Sequence, residues 1–88
     1  MPDFYYTYVL LCGDDHLYIG STCDLRRRLQ QHRCGNVPST SSRLPVELVY
    51  YEACLSLSGA RDRERQLKTG YGRKYLKSRL ASAQRLAG

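Results

Sequence analysis

Residues 4 to 11 read Phe-Tyr-Tyr-Thr-Tyr-Val-Leu-Leu, and the run gives way to Gly13-Asp14-Asp15. Aromatic and β-branched side chains favour extended backbone, and a Gly-Asp cluster favours a turn. The pattern therefore predicts a strand that must double back. Its two faces carry Tyr6, Tyr8 and Leu10 on one side and Tyr5, Thr7, Val9 and Leu11 on the other. His16 to Gly20 returns as the partner strand. A hairpin about that turn brings Tyr8 and Tyr18 within a residue or two of being opposite. If the register sets them on one face, the two phenols lie side by side.

The next segment reads as a helix. Asp24 suits an N-cap and Gly35-Asn36 a stop, which predicts a helix over 25–34. At about 100° per residue, Leu25 and Leu29 face inward, and Arg26, Arg27, Gln30 and Gln31 face out. Arg28 and His32, one turn apart, fall on the shoulder beside the apolar seam. A solubilising arginine more often sits fully outside, as Arg26 and Arg27 do. Arg28 and His32 beside Tyr8 and Tyr18 would gather guanidinium, imidazole and two phenols at one point, a plausible site for attack on a phosphodiester.

Asn36 to Pro45, rich in Ser, Thr and Pro with a lone Arg43, reads as a flexible loop. Val46 to Ala53 alternates and reads as a third strand. Ser58 is the expected cap of a second helix running to about Lys68. On it Ala60, Glu64 and Leu67 share one face, while Arg61, Asp62, Arg65 and Lys68 point to solvent. A carboxylate on an apolar stripe is costly to bury unless it is paired or bound to a metal. Gly70-Tyr71-Gly72 is expected to break this helix, with a third following whose inner positions are Leu76, Leu80 and Ala83. Arg85 to Gly88 reads as a short frayed tail. The order β-β-α-β-α-α predicts an α+β fold, a three-stranded, mainly antiparallel sheet flanked by helices.

Eighty-eight residues allow one small domain, 1–88. A net charge of +6 on so short a chain favours a polyanionic partner, nucleic acid first among them, against the plainer reading of a solvated basic surface. The basic residues gather at Arg26 to Arg28, Arg61 to Lys68 and Arg73 to Arg79. Arg26, Arg27, Arg43, Lys68, Arg73 and Lys74 are the candidate nucleic-acid contacts. Eight tyrosines add phenols that can stack on bases or bond phosphates. Apolar stretches are only a few residues long, so no membrane span is expected, and no secretory signal is visible. The expectations are a cytoplasmic monomer and no membrane. Cys12, Cys23, Cys34 and Cys54 contain no close C-x-x-C pair, which favours reduced thiols over structural zinc.

Tyr18-Ile19-Gly20, the ten-residue step from Tyr18 to Arg28 and the four-residue step to His32 together resemble the GIY-YIG nuclease superfamily. Within it, the chain is similar to the small single-domain bacterial endonuclease-like group of the UPF0213 type. The first half of the motif is degenerate, with Tyr6-Thr7-Tyr8 where Gly-Ile-Tyr would stand, but its tyrosine is kept at Tyr8. Leu48-x-Tyr50-x-Glu52, Ala60-x-x-x-Glu64-x-x-x-Lys68 and Gly72-Arg73-Lys74 add to the likeness, which covers about residues 5 to 80.

The resemblance implies metal-dependent cleavage of a phosphodiester in DNA, with RNA an alternative, in repair or recombination and with a recruiting protein as a further partner. Tyr8 or Tyr18 would orient or deprotonate the attacking water, and Arg28 would hold the scissile phosphate. His32 would support Tyr8 or relay a proton, and Glu64 would be the single protein ligand of Mg²⁺ or Mn²⁺. The alternative is a module of the same fold that binds nucleic acid without cutting it. Each residue also has a plainer use. Tyr8 and Tyr18 could be strand aromatics of the core, His32 a helix C-terminal cap, and Glu64 an ion-pair partner of Arg28.

Overall fold

The computed structural model describes residues 3–81. Ala83 and the tail from Arg85 lie outside the described residues. The elements follow the expected order: β1 (Tyr5–Leu11), β2 (Leu17–Thr22), α1 (Leu25–Arg33), β3 (Glu47–Cys54), α2 (Leu57–Leu67) and α3 (Gly70–Leu80). The sheet runs β2-β1-β3 with both pairings antiparallel.

β1 is central and feeds two cores. Tyr8 and Leu10 join Cys12 and Val46 on one face, with Leu25 and Leu29 of α1 packed against them. Val9 joins Ile19, Leu67 and Leu76 on the other, under α2 and α3. Both faces of β1 are therefore covered. This explains why Tyr-Val-Leu runs unbroken through it, where a sheet with one wet face would alternate apolar and polar residues. Truncating Leu67 or Leu76, both without exposed surface, to alanine would cost about 2–5 kcal/mol.

The helix ends hold two departures from the sequence pattern. Asp24 caps α1 as expected, accepting from the Arg27 amide at 3.0 Å. The cap of α2 is Ser56, not Ser58: its Oγ accepts from the Gly59 amide at 3.1 Å, and Ser58 bonds that same hydroxyl at 2.9 Å. Gly70-Tyr71-Gly72 opens α3 instead of separating it from α2. Thr69 is the cap, accepting from the Gly72 amide at 3.1 Å, and a side chain at Gly72 would run into the Gln66 carbonyl and the Leu67 backbone. Glycine is needed there for close helix approach.

The loop after α1 is a folded turn. The Thr40 and Ser41 amides both donate to the Val37 carbonyl, at 3.0 and 2.9 Å, and Val37 and Thr40 are buried. The Gly13 amide donates to the Arg43 carbonyl at 2.6 Å, which ties this turn to the β1–β2 hairpin. Among the described residues, no helix is long and apolar enough to cross a membrane.

Candidate active site

Tyr8 faces Gly20 across the β1–β2 ladder, and Leu10 faces Tyr18. The two tyrosines are diagonal neighbours on the α1 face, their rings 6.3 Å apart. The Tyr8 side chain lies across Gly20: a Cβ there would sit 2.6 Å from the phenol oxygen. The missing side chain of the Tyr-Ile-Gly word is thus the space that Tyr8 fills on its way toward the free edge of β2.

α1 closes over this pair. His32 is fully buried and bonds Tyr8 OH through Nε2 at 2.7 Å. Its Nδ1 bonds Oγ1 of Thr40, also fully buried, at 2.8 Å. His32 therefore does not cap the helix with its ring. It links Tyr8 to the folded turn, and Tyr18 meets the ring edge-on at 5.0 Å. Tyr8 is at once a core residue and a site residue.

The charges follow from this packing. Burial pushes the Tyr8 phenol up to about 12, with the Arg28 guanidinium pulling against it. Burial, and then the charge of Arg28, take His32 down to about 4, so the ring is neutral near pH 7. Arg28 is half-buried, is held more firmly protonated by Tyr8, and donates from Nη1 to Gln31 Oε1 at 3.2 Å.

Glu64 approaches from the other side of the sheet. Ser21, one residue past Gly20, points to the opposite face and donates to Glu64 Oε1 at 2.7 Å. Lys68 donates from Nζ to Oε2 at 2.7 Å. Burial raises the Glu64 carboxyl, but the bonds from Lys68 and Ser21 and the charges of Lys68 and Arg61 outweigh it and hold the group below the usual range. Its ion-pair partner is Lys68, one turn along its own helix, not Arg28. The Glu64 charge is nonetheless felt at Tyr8, where it opposes ionisation of the phenol.

Two open grooves reach the site. One, of 530 Å³, is lined by Ser21, Arg27, Arg28, Gln31 and Arg61. The other, of 500 Å³, is lined by Tyr18, Ile19, Lys68 and Arg73. Basic side chains therefore flank β2 at both approaches.

Of the remaining candidate contacts, Arg26 and Lys74 are exposed, while Arg43 is committed to Asp14 at 2.9 Å. Lys68 is exposed, as expected, and its ammonium also sits on the candidate metal carboxylate. Ser21, Thr40, Gln31 and Arg61 were not singled out by the sequence. For Ser21 a signal existed, its place beside Gly20. Thr40 stands among four consecutive hydroxyl residues, Ser39 to Ser42, and nothing in the pattern distinguishes it.

Among the described residues, no group of three or more His, Cys, Asp and Glu is placed to hold a metal. Glu64 is a single ionised oxygen donor on which an ammonium already rests. That suits a hard divalent ion that keeps most of its water, as Mg²⁺ does. The four cysteines are free, with Cys12 buried.

Residues 4–77 match the GIY-YIG catalytic domain. The chain belongs to the GIY-YIG family. It is similar to a UPF0213 protein of Haloquadratum walsbyi, 39% identical over 70 residues that cover 78% of this chain and 79% of that one. A UPF0213 protein of Syntrophus aciditrophicus is 46% identical over 65 residues, covering 72% and 75%. The fold is similar to the solution NMR structure of a UPF0213 protein from Bacillus halodurans, with a TM-score of 0.58 and 29% identity over 96% of this chain and 93% of that one. GIY-YIG is a nuclease family, which implies a nucleic-acid substrate. Its two-part motif here is Tyr8 in β1 and Tyr18-Ile19-Gly20 in β2, joined by the contact of Tyr8 with Gly20.

Proposed function

We propose that this GIY-YIG protein is a divalent-metal-dependent endonuclease that hydrolyses phosphodiester bonds in DNA. The observation that carries the reading is the chain Thr40–His32–Tyr8, fully buried at its base and ending beside Arg28, with an ionised Glu64 at the other side of β2.

Arg28 would take the scissile phosphate, since a guanidinium is planar, permanently charged and able to bond two oxygens at once. Its competing bond is a neutral one, to Gln31, so a phosphate displaces little. Tyr8 would fix the attacking water through its phenol oxygen. In the resting site that phenol is protonated and a poor base. Its capacity to take the water's proton grows only as positive charge gathers near it. His32, with its value near 4 beside a guanidinium, is a poor store for a second proton. Its part is to hold Tyr8 in place, in either ring tautomer. Tyr18, half-exposed and in contact with His32, is the second candidate for the water.

Mg²⁺ or Mn²⁺ held by Glu64 would supply charge neutralisation at the leaving oxygen. Lys68 occupies the same carboxylate in the resting site and would have to release one oxygen. The test is a cleavage assay on single-stranded, duplex, flap and junction DNAs with Mg²⁺ or Mn²⁺, comparing the chain with Glu64→Ala. Metal-dependent cuts that vanish in the variant are expected. Binding of the same DNAs without any cut would favour the non-cutting module instead.

A further inference from the structure

Tyr6 stands where the GIY word has its glycine, and the site described above makes no use of it. In the fold it meets Tyr51 of β3, with ring centroids 6.0 Å apart and planes tilted by 59°. Tyr51 is 54% exposed, while Tyr6 is half-buried. An aromatic pair left this open on a sheet face forgoes much of the apolar burial that would explain it as core.

The pair lines a groove of 500 Å³ whose floor is Leu25, Leu29 and Leu48 and whose rim carries Arg26 and Arg33. No hydrogen bond or ion pair engages either arginine among the described residues. The acid at the rim, Asp24, is spent on the helix cap. The groove adjoins the active-site groove, because Cys23 and Asp24 line both. Tyr6 and Tyr8 are two residues apart on one face of β1, about 7 Å.

We propose that Tyr6 and Tyr51, rimmed by Arg26 and Arg33, form a stacking subsite for an unpaired base of the nucleic acid whose backbone enters the active site. The proposal rests on the nucleic-acid substrate of the preceding reading. Exposed aromatic faces between free guanidiniums match the chemistry of single-strand binding: the ring takes a base and the cation takes the adjoining phosphate. A base inside a duplex is stacked on both faces and has neither to offer. The subsite therefore confers a preference for strands with an unpaired nucleotide near the cut.

The test is fluorescence anisotropy of a labelled oligothymidylate with the full chain in EDTA, where no cutting occurs. Tyr51→Ala is expected to weaken binding by between about fivefold and 150-fold, and Tyr51→Phe to leave it within about twofold. Tyr51→Ala should keep the salt dependence of binding, whereas Arg26→Ala should reduce its slope by about one ion. The chain has no tryptophan, so Tyr51→Trp supplies a single reporter. Its emission should be quenched by oligothymidylate and not by an abasic strand of equal charge. If the chain binds the oligonucleotide but Tyr51→Ala binds equally well, the subsite is overturned, the nuclease reading stands, and the exposed tyrosines belong to a protein contact. If the chain binds no oligothymidylate, the subsite is overturned, and the nuclease reading is decided by the cleavage panel on duplex, flap and junction DNAs.

Discussion

The two edges of the sheet carry nearly the same set of side chains to different ends. At the β3 edge, Tyr50, Glu52, Arg63 and Tyr75 close on one another. Arg63 Nε donates to both oxygens of Glu52 at 3.0 and 3.1 Å, and its guanidinium lies over the Tyr75 ring at 4.8 Å. Tyr50 donates to Glu52 at 2.8 Å and bonds the Tyr75 hydroxyl at 3.0 Å. Burial and these neighbours push the Tyr50 phenol well above its ordinary value. At the β2 edge the arginine and the glutamate are kept apart. Arg28 polarises Tyr8 and bonds an amide, while Glu64 is held by Ser21 and Lys68. Two tyrosines, an arginine and a glutamate make a structural clasp where they satisfy each other. They make a site where cation and carboxylate each keep a face for something else.

Exchanging one carboxylate at each edge gives the sharpest contrast. Glu64→Gln is expected to take cleavage to background and, because it gives up the Lys68 ion pair, to lower stability by about 1 kcal/mol. Glu52→Gln should leave cleavage intact and lower stability by about 1 kcal/mol, since the Glu52–Arg63 pair is partly open to solvent. Cleavage rates and urea midpoints of the two variants decide it, and loss of cleavage in both would erase the distinction between the edges.

Gly20→Ala comes next. Its Cβ would press on the Tyr8 hydroxyl, and a displacement of about 1 Å at a reacting group can cost about 10²-fold in rate. Overpacking should also cost about 1–3 kcal/mol. A circular-dichroism melt beside the cleavage assay separates the two effects. A rate within twofold of the parent would remove Tyr8 from the mechanism.

Part of the gathering of the β2-edge site was legible in sequence. The turn brought Tyr8 and Tyr18 close with their register left open, which the observed pairing closes by setting them on one face, and a one-turn step put Arg28 and His32 together. What closed the site was not legible. Thr40 acts across a turn built from near-identical hydroxyl residues, and the sequence reading offered Arg28 as the ion-pair partner of Glu64 while leaving Lys68, which takes that place, to solvent. The cap at Ser56 was hidden for the same reason, with a second serine two positions on. Local spacing is written in the order of residues. The choice among chemically equal partners is made by packing between distant segments.

The edges should also differ in acid. His32 is held near 4, below its ordinary 6.5, so the unfolded chain takes up the proton first. Its contribution to stability is complete above about pH 6.5 and is lost as pH falls toward 4, with a slope of at most about 1.4 kcal/mol per pH unit. Urea titrations across that window should show the slope in the parent chain and lose it in His32→Gln. An unchanged slope would mean that another group titrates there.

The smallest effect expected lies at Gly59 in α2. A Cβ there would make ordinary contacts at 3.5 Å with Cys54 and Ser56. Gly59→Ala should stabilise the chain by about 0.4–1 kcal/mol without altering cleavage, read as a rise in melting temperature. A fall would show that the approach of α2 to β3 is tighter than these contacts suggest.

β2 is hydrogen-bonded to a neighbour on one side only. Edge strands detach in local fluctuations more cheaply than central ones. Tyr18, Gly20 and Ser21 travel with β2, while Tyr8 belongs to the central strand and His32 and Glu64 to helices. Each brief detachment therefore takes the site apart and draws Ile19 out of the core under α2 and α3, and each return rebuilds both. A ligand that touches both halves holds the strand down, so deuterium uptake at the β2 amides becomes a clock for occupancy of the site, running slower as the site fills.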